Sequence, residues 1–239
     1  DVPPVPPRDV IPEKFLRHDI AGFPEVSEID VVRHYTRLSQ WNFGLDTGFY
    51  PLGSCTMKYN PKVNEELASL KGFAQLHPYQ DEGTVQGALE LMYELEGYLA
   101  EICGLDAVTL QPSAGAHGEL CGLFTIAAYF RDKGRPRRKI IIPDTAHGTN
   151  PASSSLAGFT TVSVASENGV LTAEAVEKAM DKDTAAVMLT NPNTLGLFEK
   201  NISEIAGIVH KKGGFVYCDG ANMNALMGIV KLGRAGVDV

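Results

Sequence analysis

The 239-residue chain has no apolar run approaching the ~20 residues that a membrane-spanning helix needs. Nor does it open with the basic-then-apolar order of a signal peptide, since residues 1–12 read "DVPPVPPRDVIP". Cysteine is scarce. Cys55, Cys103, Cys121 and Cys218 are scattered and form no C-x-x-C pair, which argues against a disulfide framework and for reduced thiols in a cytosol-like compartment. The six histidines have no H-E-x-x-H or other ligand spacing, so no metal site is expected. Positive charge is in deficit: 21 Lys and Arg face 29 Asp and Glu, for a net charge of −8 and a pI near 5.3. A nucleic-acid footprint is therefore not expected. The one basic run, Arg135-Pro136-Arg137-Arg138-Lys139, reads as a solvated loop between a helix and a strand. The phosphate-loop, dinucleotide and nucleophile-elbow motifs are also missing, despite Ser153-Ser154-Ser155.

What is present is an ordinary globular composition, 44% apolar and 21% charged, long enough for one large domain with an added arm. Five prolines in the first twelve residues exclude helix and central strand there and predict an extended arm. Residues 13 to 80 are mixed. Around "YPLGSCTMKYNP" the chain is too broken for regular structure, and a helix is expected to follow with Asn60 as its cap and Pro61 at its first position. We divide the chain into residues 1–80, an arm and active-site loop segment, and residues 81–239, a large domain.

From Thr84 the pattern becomes regular. Val85, Leu89, Met92, Leu95, Leu99 and Ile102 recur at helical spacing, and Gly104 closes the segment. Strands and helices then alternate: "AVTL", "GELCGLFTIAAYFRDKG", "KIIIP", a short helix near "PASSSLAG", "TTVSVA", "TAEAVEKAM", "AAVML", "ISEIAGIVHKKG" and "FVYCD". Short, continuous, β-branched strands are those covered by helices on both faces. The fold class predicted is therefore α/β, a three-layer, mostly parallel sheet.

In such sheets ligands sit beyond the carboxyl ends of the strands. Four chemically rich stretches follow strands here: "QPSAGAHGE", "DTAHGTNPAS", "TNPNTLG" and "DGANMN". The first places Ser113, Ala114, Gly115 and Ala116 at the start of a helix, where small residues let backbone N–H groups approach a phosphate; a tight packing turn is the alternative. In the second, His147 sits among Thr145, Gly148 and Thr149. It could stack on a flat ring, act as an acid or base, or satisfy a loop carbonyl. Asp219 ends an apolar strand. Strand-end aspartates often form turns, yet a buried carboxylate beside a pyridine nitrogen would keep that ring protonated, the state in which pyridoxal phosphate (PLP) acts as an electron sink. Ala221 is small enough to leave room for the ring.

Together "YPLGSCTMKYNPKVNE", "QPSAGAHGELCGL", "PDTAHGTNPASSSLAG", "TNPNTLGLFEKNI" and "VYCDGANMNALMG" resemble the P-protein family of the glycine cleavage system, glycine dehydrogenase (decarboxylating), nearest the second subunit of its two-subunit form. The resemblance spans nearly the whole chain, and "PLGSCTMK" is its most specific part. It implies the aspartate-aminotransferase-like fold (fold type I) with PLP as cofactor. It also implies decarboxylation of glycine, with the aminomethyl group passed to the lipoyl group of H-protein, and a partner subunit 1. By this resemblance Asp219 pairs with the ring nitrogen and His147 stacks on the ring. Ser113, Ala114 and Gly115 hold the phosphate, and Thr190 or Asn191 reaches the ring hydroxyl. Ser54, Thr56, Lys58 and His77 lie on the substrate side, and His117 supports the phosphate turn from behind.

One departure matters. The family's Schiff-base lysine lies in an "H-x-N-x-H-K" stretch that these 239 residues do not contain. Lys231, the only lysine after Asp219, reads as an exposed helix-end residue instead. The expectation is an N-terminal half-like segment without the small C-terminal domain, inactive alone, from a cytoplasmic hetero-oligomer that binds neither membrane nor nucleic acid. Two other readings are another fold-type-I enzyme (a group II decarboxylase or a cysteine desulfurase), which would lack "PLGSCTMK", and a non-catalytic scaffold subunit.

Overall fold

The computed structural model describes residues 4–48 and 58–239. They fall into two compact units, Asp1–Tyr50 and Pro51–Val239.

In the first unit, α1 (Pro7–Val10) is followed by a single 3-10 turn at Glu13–Phe15 and then by α2 (Glu28–Trp41). The arm was expected to hold no helix, and α1 corrects that. Pro7 takes the first helical position, where its missing N–H costs nothing, so one turn can form. α2 begins at Ser27, whose hydroxyl accepts from the Asp30 N–H (3.3 Å) and donates to the Asp30 carboxylate (2.6 Å). That reciprocal Ser-x-x-Asp cap was a legible signal inside a stretch read only as mixed.

The second unit runs α3 (Lys62–Ala68), α4 (Lys71–Ala74), α5 (Gln86–Cys103), α6 (Gly115–Asp132), β1 (Lys139–Pro143), α7 (Thr149–Leu156) and β2 (Thr160–Val164). It continues through α8 (Ala173–Ala179), β3 (Thr184–Thr190), α9 (Ile202–Lys211) and β4 (Phe215–Asp219). α3 starts one residue later than expected. Pro61 is the cap, and Asn60 spends its side chain on Asn64 and Glu65 instead. α5 follows the predicted periodicity and ends at Gly104, whose left-handed φ of 71° lets its N–H reach the Ala100 carbonyl.

All strand pairs are parallel, in the order β2-β1-β3-β4. Alternate residues enter two separate cores. Ile141, Val187, Leu189 and Val216 pack with Val176, Ile205 and Val209 of α8 and α9. Ile140, Ile142, Met188 and Tyr217 pack on the other face with Leu123, Ile126 and Phe130 of α6. This is the three-layer architecture that the strand composition implied. Gly122 sets the closeness of α6: a Cβ there would lie 2.6 Å from the Tyr217 ring.

The expected strand at 107–110 does not form. On the outer edge of β4 the Val216 carbonyl accepts from the Asp238 and Val239 N–H groups (2.9 and 3.2 Å), and the Cys218 N–H donates to the Val239 carbonyl (2.8 Å). That edge is thus taken by residues 238 and 239, and "AVTL" joins no ladder.

The basic run is not the solvated loop expected. Arg137 donates to the carbonyls of Thr184 (2.6 Å) and Lys212 (3.1 Å) and lies over the Phe130 ring, 4.8 Å from its centre. The Lys139 ammonium donates to the Ala179 carbonyl (2.8 Å) and the Asp181 carboxylate (2.6 Å). Two cations therefore tie together the strand ends opposite the candidate site, while Arg135 and Arg138 remain exposed. The Lys139 hydrogen bond holds the Asp181 carboxyl down at about 2, from an ordinary 3.8. A depressed folded value stabilises above the unfolded one and is lost as pH falls through the folded one. We expect Asp181→Asn to remove a step in stability between roughly pH 4 and pH 2, measured by urea unfolding across that range. Because the Asp181 side chain is 57% exposed, the step should be no larger than about 1 kcal/mol.

Candidate active site

The connections after β1 and β3 leave the sheet in opposite directions. α7 carries the chain back to β2 on the α6 side, and α9 carries it to β4 on the other. Adjacent parallel strands that diverge in this way open a crevice at their carboxyl ends, the usual ligand position in such sheets. The Thr194 hydroxyl, donating to the Thr145 carbonyl at 2.5 Å, ties the two loops across it.

Asp219 ends β4 beside Thr190, the last residue of β3. Its Oδ1 accepts from the Ala221 N–H (3.0 Å) and its Oδ2 from the Asn150 amide (3.0 Å). The same amide donates to Oε1 of Glu119 (3.0 Å), which also accepts from the Thr149 hydroxyl (2.8 Å). Nδ1 of His147 lies 2.8 Å from that hydroxyl oxygen. Asp219 and His147, read separately from the sequence, are thus joined through Asn150, Glu119 and Thr149. Sequence reasoning missed Asn150 and Glu119. A glutamate on a helix looks like any solvated charge, and only the packing of α6 against the sheet buries it to 6% exposure.

Glu119 lies four residues, one helical turn, beyond Gly115, which opens α6. Ala114 caps that helix with no side-chain hydrogen bond, so the first N–H groups face outward from a turn of small residues. The Ser113 hydroxyl pairs with Nδ1 of His117 (2.6 Å). Thr190 and Asn191 are buried, and Asn191 accepts from the Glu199 N–H (3.0 Å). His77 is not drawn into this network. Its Nδ1 accepts from the Tyr79 N–H (3.1 Å) and its own N–H donates to Gln80. Lys58 is half-buried ahead of α3. Ser54 and Thr56 lie outside the described residues. Lys231 is half-buried and ion-paired with Glu101 at the end of α5, not exposed as expected, and that pairing fits a structural role.

Among the described residues, five buried side-chain atoms have no hydrogen-bond partner: Oε2 of Glu119, Oγ1 of Thr145, Oδ1 of Asn150, Oγ1 of Thr190 and Nδ2 of Asn191. Thr145 and Asn191 belong to the loops after β1 and β3, Thr190 ends β3, Asn150 lies in the first turn of α7, and Glu119 lies in the first turns of α6. Native proteins rarely leave such atoms unsatisfied, and here they gather at one edge. A flat ligand with an anionic group, polar ring substituents and a basic ring nitrogen matches this set: a small-residue helix start, unpartnered donors and acceptors, and a carboxylate. The Cys218 thiol beside it is pushed up to about 12 by burial, so it stays protonated and unreactive. Among the described residues no cluster of three or more His, Cys, Asp or Glu is placed to hold a metal, and no helix is long and apolar enough to cross a membrane.

A parallel three-layer sheet with a strand-end site is an architecture that PLP-dependent transferases of fold type I share with other ligand-binding α/β proteins. The aminotransferase class-V family model matches residues 117–239, and the chain belongs to that family of PLP-dependent enzymes. It is 58% identical over 235 residues to the probable glycine dehydrogenase (decarboxylating) subunit 2 of Kosmotoga olearia, covering 98% of this chain and 49% of that protein. The subunit 2 protein of Thermococcus kodakarensis is also 58% identical, over 99% of this chain and 48% of its own length. The chain spans about half the length of the curated relatives it matches. Among solved structures it resembles the glycine decarboxylase (P-protein) of the glycine cleavage system, with a TM-score of 0.68 at 22% identity, covering 96% of this chain and 51% of that one. It also resembles a sphingosine-1-phosphate lyase from Burkholderia pseudomallei, with a TM-score of 0.62 at 15% identity over 91% and 53% of the two chains. These two likenesses support the fold.

Proposed function

We propose that this chain forms the PLP-binding half of a glycine dehydrogenase (decarboxylating) subunit 2, which removes the carboxyl group of glycine as carbon dioxide and passes the aminomethyl group to lipoylated H-protein. The observation that carries this reading is the 58% identity to subunit 2 proteins over essentially the whole chain. The cofactor, when bound, supplies an electron-withdrawing ring that takes up the electron pair left by the departing carbon dioxide.

The chain's own residues divide the remaining work. Asp219, held by two donors, keeps a lone pair for the ring N–H and favours the protonated ring. The small turn at Ser113, Ala114 and Gly115 offers its N–H groups to the phosphate. His147 stacks on the ring, Ala221 leaves room for it, and Thr190 or Asn191 meets the ring hydroxyl. Lys58 and His77 are assigned to the substrate side, and Ser54 and Thr56, outside the described residues, carry the same assignment from the family resemblance alone. The partners are subunit 1 and H-protein, in a cytoplasmic hetero-oligomer.

The full chain, assembled with subunit 1 and supplied with PLP and H-protein, is expected to exchange the carboxyl carbon of glycine with bicarbonate. Exchange with another amino acid in place of glycine would overturn the substrate assignment. Replacing His147 with Ala should weaken PLP binding about 2- to 10-fold, the range of an aromatic contact. An unaltered affinity in a direct titration would remove His147 from the ring.

A further inference from the structure

We propose that Asn150 and Glu119 are positioning residues that lock Asp219 and His147 into a single hydrogen-bonded unit, so that the carboxylate meeting the ring nitrogen and the imidazole meeting the ring face cannot move independently. This rests on the reading of Asp219 and His147 given above and extends it to two residues for which neither motif nor family match assigns a role.

Each link in the chain can be given its own proton. The Asn150 amide has two hydrogens and two carboxylate acceptors, Oδ2 of Asp219 and Oε1 of Glu119, each at 3.0 Å. The Thr149 hydroxyl has one hydrogen. Giving it to the carboxylate of Glu119 at 2.8 Å leaves the Thr149 oxygen to accept from Nδ1–H of His147 at 2.8 Å. (The Thr149 N–H, 3.2 Å from Nδ1, is the donor in the other tautomer.) Every link thus has its own proton, running from the imidazole to the strand-end carboxylate. Asn150 is fully buried and its backbone carbonyl accepts from the buried Ser154 hydroxyl (2.8 Å), so α7 anchors the backbone that carries the amide.

A purely structural role would not require one amide to face two carboxylates. Spending one buried amide on two carboxyl groups is costly unless one of them is held for a third group. Asp219 retains acceptor capacity after its two bonds, so its orientation matters to whatever lies beyond it.

The test uses the full chain with its partner subunit, titrated with PLP labelled with nitrogen-15 in the ring. Two quantities are read: the PLP dissociation constant and the nitrogen chemical shift, which reports protonation of the bound ring. Asp219→Asn is the reference. Asn150→Ala should raise the dissociation constant about 10-fold or more, the scale of a lost hydrogen bond to a charged group, and move the shift toward the neutral ring. Glu119→Gln keeps the acceptor for Thr149 and Asn150 and should stay within about threefold of the parent, whereas Glu119→Leu should behave like Asn150→Ala. If Asn150→Ala does not fold, Asn150→Ser, smaller but polar, carries the same expectation. A parent-like shift and affinity in the Asn150 variant, with Asp219→Asn clearly altered, overturns the positioning role alone. No change in Asp219→Asn itself overturns the reading of the site as well.

Discussion

Asp219→Ala in the full chain, assembled with subunit 1, should lower glycine–bicarbonate exchange on the order of 10³-fold, as the loss of a preorganised electrostatic partner does elsewhere. The charge on the ring nitrogen is worth most while the electron pair is arriving, so the defect should lie in turnover more than in glycine affinity. The fold should survive. Asp219 is only half-buried at the end of β4, and the N–H of Ala221 that it accepts from belongs to an exposed residue. Far-ultraviolet circular dichroism and a urea midpoint separate the two effects. Parent-like exchange in a folded variant would remove the carboxylate from the chemistry altogether.

A large effect of the opposite kind, on stability without any contact to the site, is expected from Gly233→Ala. A Cβ there would sit 1.8 Å from the carbonyl oxygen of Gly104 and 2.7 Å from its carbon. Neither atom can rotate away, because Gly104 is held in its left-handed conformation as the cap of α5. The backbones must separate, and with them the Lys231 stem that packs across Gly104 and the turn leading to buried Val237. We expect a loss of about 3 kcal/mol or more, beyond the common range for an overpacked methyl, read from the shift of the urea midpoint at unchanged slope. A variant within about 0.5 kcal/mol of the parent would show that the two segments separate at little cost.

Much of the fold and of the site is legible in the sequence. Strands β1 to β4 and helices α5 to α9 could be read because each carries its own period, its own β-branched run or a closing glycine. Asp219 and His147 could be read because they follow strands, and the parallel sheet brings the ends of β1 and β4 to the same rim. What could not be read depends on partners distant in sequence. Residues 107–110 have strand composition, yet composition does not supply a partner strand, and these residues join none of the four strands of the sheet. Arg137 and Lys139 look like surface charges until Thr184, Lys212 and Ala179 offer them carbonyls. Glu119 and Asn150 were invisible for the same reason, since a buried amide between two carboxylates leaves no local signature.

The gathering of unsatisfied buried atoms at one rim has a consequence for the lifetime of the molecule. Desolvating them is an energetic debt of folding that a bound ligand can relieve, so the apo form should open most readily at that rim. A ligand present at one hundred times its dissociation constant adds about 2.7 kcal/mol to the folded state. Vitamin supply would then govern how much protein a cell retains, through proteolysis of the looser apo form, as well as how fast each surviving copy works.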